Sequence, residues 1–585
     1  MTSRGWALGF GMALALSACA GAGGPVNQTG AAGNTSTAGN TGTAGGTAGA
    51  SGASGGAGGT AGSTAGNTGS AGSGDPNFHL NCTGASLGRP FLRLLTGAEL
   101  QSTLTDIFPE VKGAWTLSLP SATISSHGFD NDGSSPVGAQ LAGAYVDTAL
   151  SLATALVGTP LATILPCSTG AADRTCAETF LNKYGRRLFR RPLTTAEHDR
   201  YLTFFDASKT KSDFKTALKW MTVALIQSPN ALYRSEIGAD SGGGMRQLSA
   251  YEVATELAYT FTGTTPTDAL LTMAASGNLG DTTALAKTMI ATDAGKQTLH
   301  RFFDQYLDYS NVSSVQKPNI ASYASLSADM VQETRAFINQ IVFTGGGGMK
   351  ELLTATTTNP SRALAAYYAT GNMYTGGFPT PASDYASVTR PATTGIGILA
   401  QGSFLSSHAG SDTSSPTKRG LFTYYKLFCQ QKLMPPPNVP QLDTTTAMTG
   451  INTTRDRYEK LHATGSCASC HKVFDPLGFA FEHFDEGGRY RVKEKTFDID
   501  SSGTVTGPDS STIMFTNEQD LMNAVVKQPI IHECMSAYLA AYAYGSDEAC
   551  LGASQVTGLQ SGSIGIAEAY ARLAAEPHFT QRSAQ

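Results

Sequence analysis

The sequence predicts a mainly α protein: several helical domains, a small module around one cysteine motif, and a small α+β domain near the C-terminal end. Three observations predict it. Apolar residues recur at spacings of three and four through most of the chain up to about residue 370, for example Leu94, Leu95, Leu100, Leu104 and Ile107. Helix-start signals sit beside these runs, with Thr96 three before Glu99 and Thr194 three before Glu197. The clearest β-like stretch is the Gly-punctuated FDIDSSGTVTG from Phe497 to Gly507.

The first nineteen residues read as an export signal. Arg4 supplies the charged region, and GWALGFGMALAL is apolar but too short to span a bilayer alone. Leu16-Ser17-Ala18-Cys19 follows and resembles the bacterial lipobox, which implies acylation of Cys19 and a lipid anchor in a membrane; a plain secretory signal is the alternative. From Ala20 to Gly74 there is no charged residue, so 20–80 is expected to be a disordered, flexible tether. Net charge is −5 and the pI about 6.1, which gives no basic footprint and no nucleic-acid partner. No later apolar run approaches 18 residues, so no second membrane span is expected.

The folded elements follow in order. FLRLLTGAELQSTLTDIF (Phe91–Phe108) and a small-residue run from Ala142 to Leu156 form a helical domain over 85–160, with His127 in the turn between them. A second helical domain covers 170–236. In it Arg186, Arg187, Arg190 and Arg191 end a helix at Pro192, either pairing acidic neighbours or meeting an anionic partner. Phe214 to Tyr233 is an amphipathic helix ended near Pro229. Residues 245–375 carry four or five more helices, the last closed by Gly345–Gly348. His300 is expected to pack beside Phe302 and Phe303, and no nucleophile or phosphate-loop motif occurs.

The chemistry concentrates in 390–491. Cys467-Ala468-Ser469-Cys470-His471 is a C-x-x-C-H, the pattern of covalent haem attachment in c-type cytochromes. Two thiols three apart on one turn reach two vinyl groups, and the next residue carries an imidazole under the iron. With 9 Cys and 10 His in 585 residues, composition predicts about 0.002 such matches by chance. The competing readings are a small disulfide, half of a zinc site with no second half, and a thioredoxin-like pair without its βαβ frame. Haem c is therefore the expected cofactor, with Cys467 and Cys470 as attachment points and His471 as axial ligand. For a sixth ligand the candidates are Met434, beside Pro435–Pro437, and His408, ahead of TSSPTKRG; His462, His483, Met514, Met522 and Met535 are also available. His462, nine before His471, makes an awkward reach across an iron. Asp475-Pro476-Leu477-Gly478 reads as a turn, and Phe479, Phe481 and Phe484 either wall a haem edge or fill a core.

With Cys19 and the C-x-x-C-H set aside, six cysteines remain in an oxidising compartment and allow fifteen pairings. The sequence-close pairs Cys167–Cys176 and Cys534–Cys550 are the expected disulfides, which leaves Cys82 and Cys429. A small α+β domain over 495–575 closes the chain.

These residues together resemble a family. CASCHKVFDPLGFAFEHFDEGGRYR, with TSSPTKRG and CQQKLMPPPNVP upstream, is similar to the planctomycete-type cytochrome C module of multidomain exported proteins in planctomycetes and myxobacteria. YGRRLFRRPLT, ALIQSPNALYR, DSSGTVTG and CMSAYLAAYAYGSDEAC resemble motifs of the helical domains of unknown function that accompany it. The resemblance covers about 85–575 and implies covalent haem on Cys467 and Cys470 with His471 below it. It implies no substrate. One departure is Tyr542-Ala543-Tyr544-Gly545-Ser546, where relatives tend to have Tyr-Ala-Leu-Gly-Arg.

Two functions follow as expectations. The first is an exported, lipid-anchored monohaem c-type protein that transfers electrons to an unknown redox partner at the cell surface or in the periplasm. The second is a surface binding or scaffold protein in which the C-x-x-C-H module is structural or empty. An open sixth position would instead point to haem-dependent enzyme chemistry.

Overall fold

The computed structural model describes residues 87–583 apart from 121–127, 132, 134–135, 171, 372–377, 392, 431–432, 434–449, 463–464 and 546–561. Cys19, the 20–80 tether, Cys82, His127, Met434 and Cys550 lie outside the described residues. Among the described residues helices take 58% and strands 9%, so the fold is mainly α.

The first element among the described residues is a strand, β1 (Phe91–Leu94), where a helix is expected. Phe91 to Leu94 pair antiparallel with β2 (Tyr233–Glu236), and the helix begins only after Thr96. Thr96 and Glu99 form the expected capping box and start α1 (Gly97–Ile107). Each such box is worth about 1 kcal/mol. Next comes α2 (Ala139–Gly158), 20 residues with a mean hydropathy of 1.4, long and apolar enough to cross a membrane. This corrects the expectation that no such run exists. One face, carrying Tyr145, Ala149, Leu152 and Leu156, is buried against the Phe214–Ile226 helix, while Asp147 lies on the exposed side, the pattern of a core helix. The Thr194–Glu197 box starts α3 (Thr195–Lys211), and Asp213 caps α4 (Phe214–Ile226). These elements share one core, from Leu94 to Tyr259.

A second core begins with Phe129 and takes residues from 248 to 579. It includes α5 (Ala250–Thr262), capped by Ser249 and Glu252, and α6 (Asp293–Tyr306). His300 packs there as expected, with Nε2 2.9 Å from Asn339 Oδ1. The same core runs without interruption into α7 (Pro416–Phe422), the C-terminal half of the Cys467 helix, and α8 (Glu518–Val525) and α9 (Ile530–Tyr544) beyond it. The β-like stretch is a hairpin of Gly503–Thr506 with Thr512–Phe515. The last strand, Gln581–Ser583, returns to pair with Met245–Gln247.

The arginine cluster is absorbed by structure. Arg190 is 3% exposed and donates to the carbonyls of Asn230, Ala231 and Tyr233 and to Tyr259 Oη. Arg187 pairs with Asp106 at 2.9 Å and Arg191 with Glu197 at 2.8 Å.

The structure joins Cys167 to Cys176, but Cys534 bonds to Cys429, not to Cys550. The reason is packing over a long sequence distance. Helix α9 lies against the π-helical turn Thr423–Leu427, which brings Cys429 beside Cys534 with Cα atoms 5.7 Å apart. Sequence proximity of Cys550 carries no weight against that contact.

Candidate haem-attachment site

The site is built by three helices: α7, Thr454–His462, and Gly465–Phe479. The Thr454–His462 helix is started by Asp456, whose Oδ2 accepts the N–H groups of Asn452 and Thr453 at 3.0 Å, and Thr454 is held by Glu494. His462 ends it. The Gly465–Phe479 helix carries the motif and continues through Pro476, so Asp475–Gly478 is helical and not the expected turn. Proline there has no N–H to give, a cost of about 3 kcal/mol in an isolated helix. Packing against α7 supplies the compensation. Gly420 lies on the Phe474 carbonyl and Gly478 on the Pro416 carbonyl, so closely that a Cβ at either would overlap the oxygen. Two glycines thus let the backbones touch.

That contact sets the polar centre. Thr417, on α7, donates to Asp475 Oδ1 at 2.6 Å. Asp475 Oδ2 takes His462 Nδ1 at 2.5 Å and His471 Nδ1 at 3.0 Å. The two imidazole centroids are 3.5 Å apart and tilted by 33°, and Phe474 meets His471 edge-on at 4.9 Å. Burial of Asp475 acts to raise its carboxyl, but the hydrogen bonds from His462, His471 and Thr417 outweigh it and hold the carboxyl below its usual range. A carboxylate oxygen only accepts, so both rings carry their proton on Nδ1. In the neutral ring that leaves the lone pair on Nε2, and His462 Nε2 is buried without a hydrogen-bond partner.

The thiols of Cys467 and Cys470 are unpaired, partly buried and three apart on the same helix. Tyr424 and Tyr425 border Cys470. Two free thiols, followed by an imidazole with Nδ1 fixed on a carboxylate and Nε2 unspent, are the donor set that haem c requires. The same centre also offers a cation three ligands, since His462, His471 and Asp475 have donor atoms within 4.8 Å of one another.

His408 stacks on Phe404 at 4.3 Å and meets Phe422 edge-on. Its Nδ1 is 3.0 Å from the Phe404 carbonyl, and burial pushes its pKa down to about 4, so it is neutral with Nε2 as the acceptor. Its ring contacts Phe404, Ser407 and Phe422. Met434 lies outside the described residues. Phe479, Phe481 and Phe484 are buried. TSSPTKRG proves to be a frame: Arg419, fully buried, donates to the carbonyls of Leu405, Phe481, Phe484 and Asp485. Sequence reasoning missed the joint role of His462 and Asp475. The available signal was Asp475 four after His471, one helical turn away.

Three stretches match family models. Residues 176–236 match PSD5 (DUF1595), 248–370 match PSD4 (DUF1592) and 396–494 match PSCyt3 (DUF1588), each described as a protein of unknown function. The C-x-x-C-H lies inside the PSCyt3 match. Comparison with curated proteins and with solved structures found no match.

Proposed function

We propose that the protein is an exported, lipid-anchored monohaem c-type protein that transfers single electrons at the cell surface or in the periplasm. The observation that carries this reading is one helix presenting Cys467 and Cys470 as free thiols and His471 with Nδ1 on Asp475. Cys467 and Cys470 would hold haem c through thioether bonds, and His471 Nε2 would ligate its iron. When bound, that group supplies a one-electron Fe(III)/Fe(II) couple. The chain does the rest. Asp475 fixes the tautomer and orientation of His471 and makes it a stronger donor. Thr417 fixes Asp475. Phe474, Tyr424 and Tyr425 border the motif with rings that limit water. Met434 or His408 would be the further iron ligand, Cys19 the lipid-bearing residue, and a redox protein the partner.

One observation favours a second reading. His462 stacks on His471 and shares its carboxylate, so the centre also suits a divalent cation in a binding or scaffold protein. Pyridine haemochrome spectra and metal analysis, on protein matured with a cytochrome c maturation system, separate the two. A c-type band lost in Cys467→Ala/Cys470→Ala supports the first reading. Stoichiometric metal other than iron, with no such band, replaces it with the second.

A further inference from the structure

Asp475 serves two imidazoles, and only one of them belongs to the cysteine motif. His471 reaches it from one turn back on the same helix, while His462 reaches it from the end of the Thr454–His462 helix. Both ring N–H groups converge on a single oxygen, Oδ2, and the two bonds are unequal. His462 Nδ1 lies at 2.5 Å and His471 Nδ1 at 3.0 Å. The His462 side chain is 5% exposed and that of His471 23%. A charge-assisted hydrogen bond strengthens as it shortens and as water is excluded, so the carboxylate is committed mainly to His462. Its other oxygen, Oδ1, takes the Thr417 hydroxyl at 2.6 Å and spreads the charge further.

A ligating histidine is a stronger donor when its second N–H meets a carboxylate. A stronger donor stabilises the more positive Fe(III) and lowers the potential of a haem. His471 has such a carboxylate but receives the smaller part of it. The ring stack, with centroids 3.5 Å apart, keeps His462 where it competes.

We propose that His462 is a positioning residue: by drawing Asp475 to itself it weakens His471 as a donor and holds the haem potential up. The effect on potential rests on the proposed haem; the competition for Asp475 does not. Two substitutions separate this role from a structural one. His462→Phe keeps a buried ring and loses the competing N–H, whereas His462→Asn loses the ring and keeps an N–H near the Nδ1 position. In the haem-free full chain, the Nδ1 proton resonance of His471 should move downfield in His462→Phe and move less in His462→Asn. In the haem-loaded protein, the midpoint potential should become more negative in His462→Phe and shift less in His462→Asn. Asp475→Asn should move it the opposite way. A merely structural role predicts the larger change in His462→Asn, since that variant removes the stacked ring. An unmoved or upfield proton in His462→Phe, an unchanged or more positive potential, or a larger shift in His462→Asn overturns the proposal. Protein that takes up no haem overturns the proposed function instead, and the proton resonance then decides whether His462 competes for Asp475.

Discussion

Asp475 is the residue on which the site turns. It is buried, and one of its oxygens serves two imidazoles while the other takes Thr417. Asp475→Asn keeps the shape but replaces an acceptor of charge-assisted bonds with an amide that both histidines meet poorly. The expected cost is about 1–3 kcal/mol in chemical denaturation. In the parent, ring nitrogen shifts should report Nδ1–H on both His462 and His471, and in the variant this shared tautomer should be lost. Equal stability and unchanged shifts would mean the carboxylate does not organise the pair. At this scale the sequence was partly legible. Cys467, Cys470 and His471 stand in one contiguous motif, so their chemistry reads directly. His462 comes from another helix, and only the helix crossing shows that it shares Asp475.

At the scale of elements, the crossing of α7 with the Gly465–Phe479 helix depends on Gly420 and Gly478. Neither needs a left-handed backbone; each is required by close approach to a carbonyl of the facing helix. Gly420→Ala should therefore destabilise the protein by about 2–3 kcal/mol, measured by denaturant unfolding, and should separate Thr417 from Asp475. An alanine there without effect would show that the helices do not touch as described. Periodicity made α1, α3, α4 and α5 legible, and capping residues marked the starts at Thr96 and Thr194. It missed β1, because Phe91 to Leu94 are a strand through pairing with residues more than 130 positions away. It also missed the helix through Pro476, where tertiary contact overrides the local breaker.

Across the whole molecule, the core from Phe129 to Phe579 ties the motif-bearing segment to the chain on either side of it. Cys429–Cys534 locks the same junction across 105 positions. Removing it as Cys429→Ser/Cys534→Ser should cost about 2–4 kcal/mol, and non-reducing peptide maps should show this link and none between Cys534 and Cys550. Glu518 bridges the same regions, accepting the Ile396 N–H at 2.9 Å. Burial pushes its carboxyl up from 4.5 to about 8, so the folded state holds a proton that the unfolded state releases between those values. Folded stability then falls as pH rises through that window, by up to about 1.4 kcal/mol per pH unit from this group. Glu518→Gln keeps an acceptor for Ile396 and should flatten the dependence, gaining more stability at pH 8 than at pH 5. Parallel pH profiles of parent and variant would contradict the assignment. None of these long-range contacts has a local sequence signal, which is why the fold class was legible and the cross-chain disulfide was not.

The most direct measurement is the mass of the proteolytic peptide that contains Cys467, Cys470 and His471, from protein matured where haem attachment is available. That peptide should carry one added haem, with both thiols consumed. The same peptide recovered without added mass, its two cysteines free or joined to each other, would contradict it.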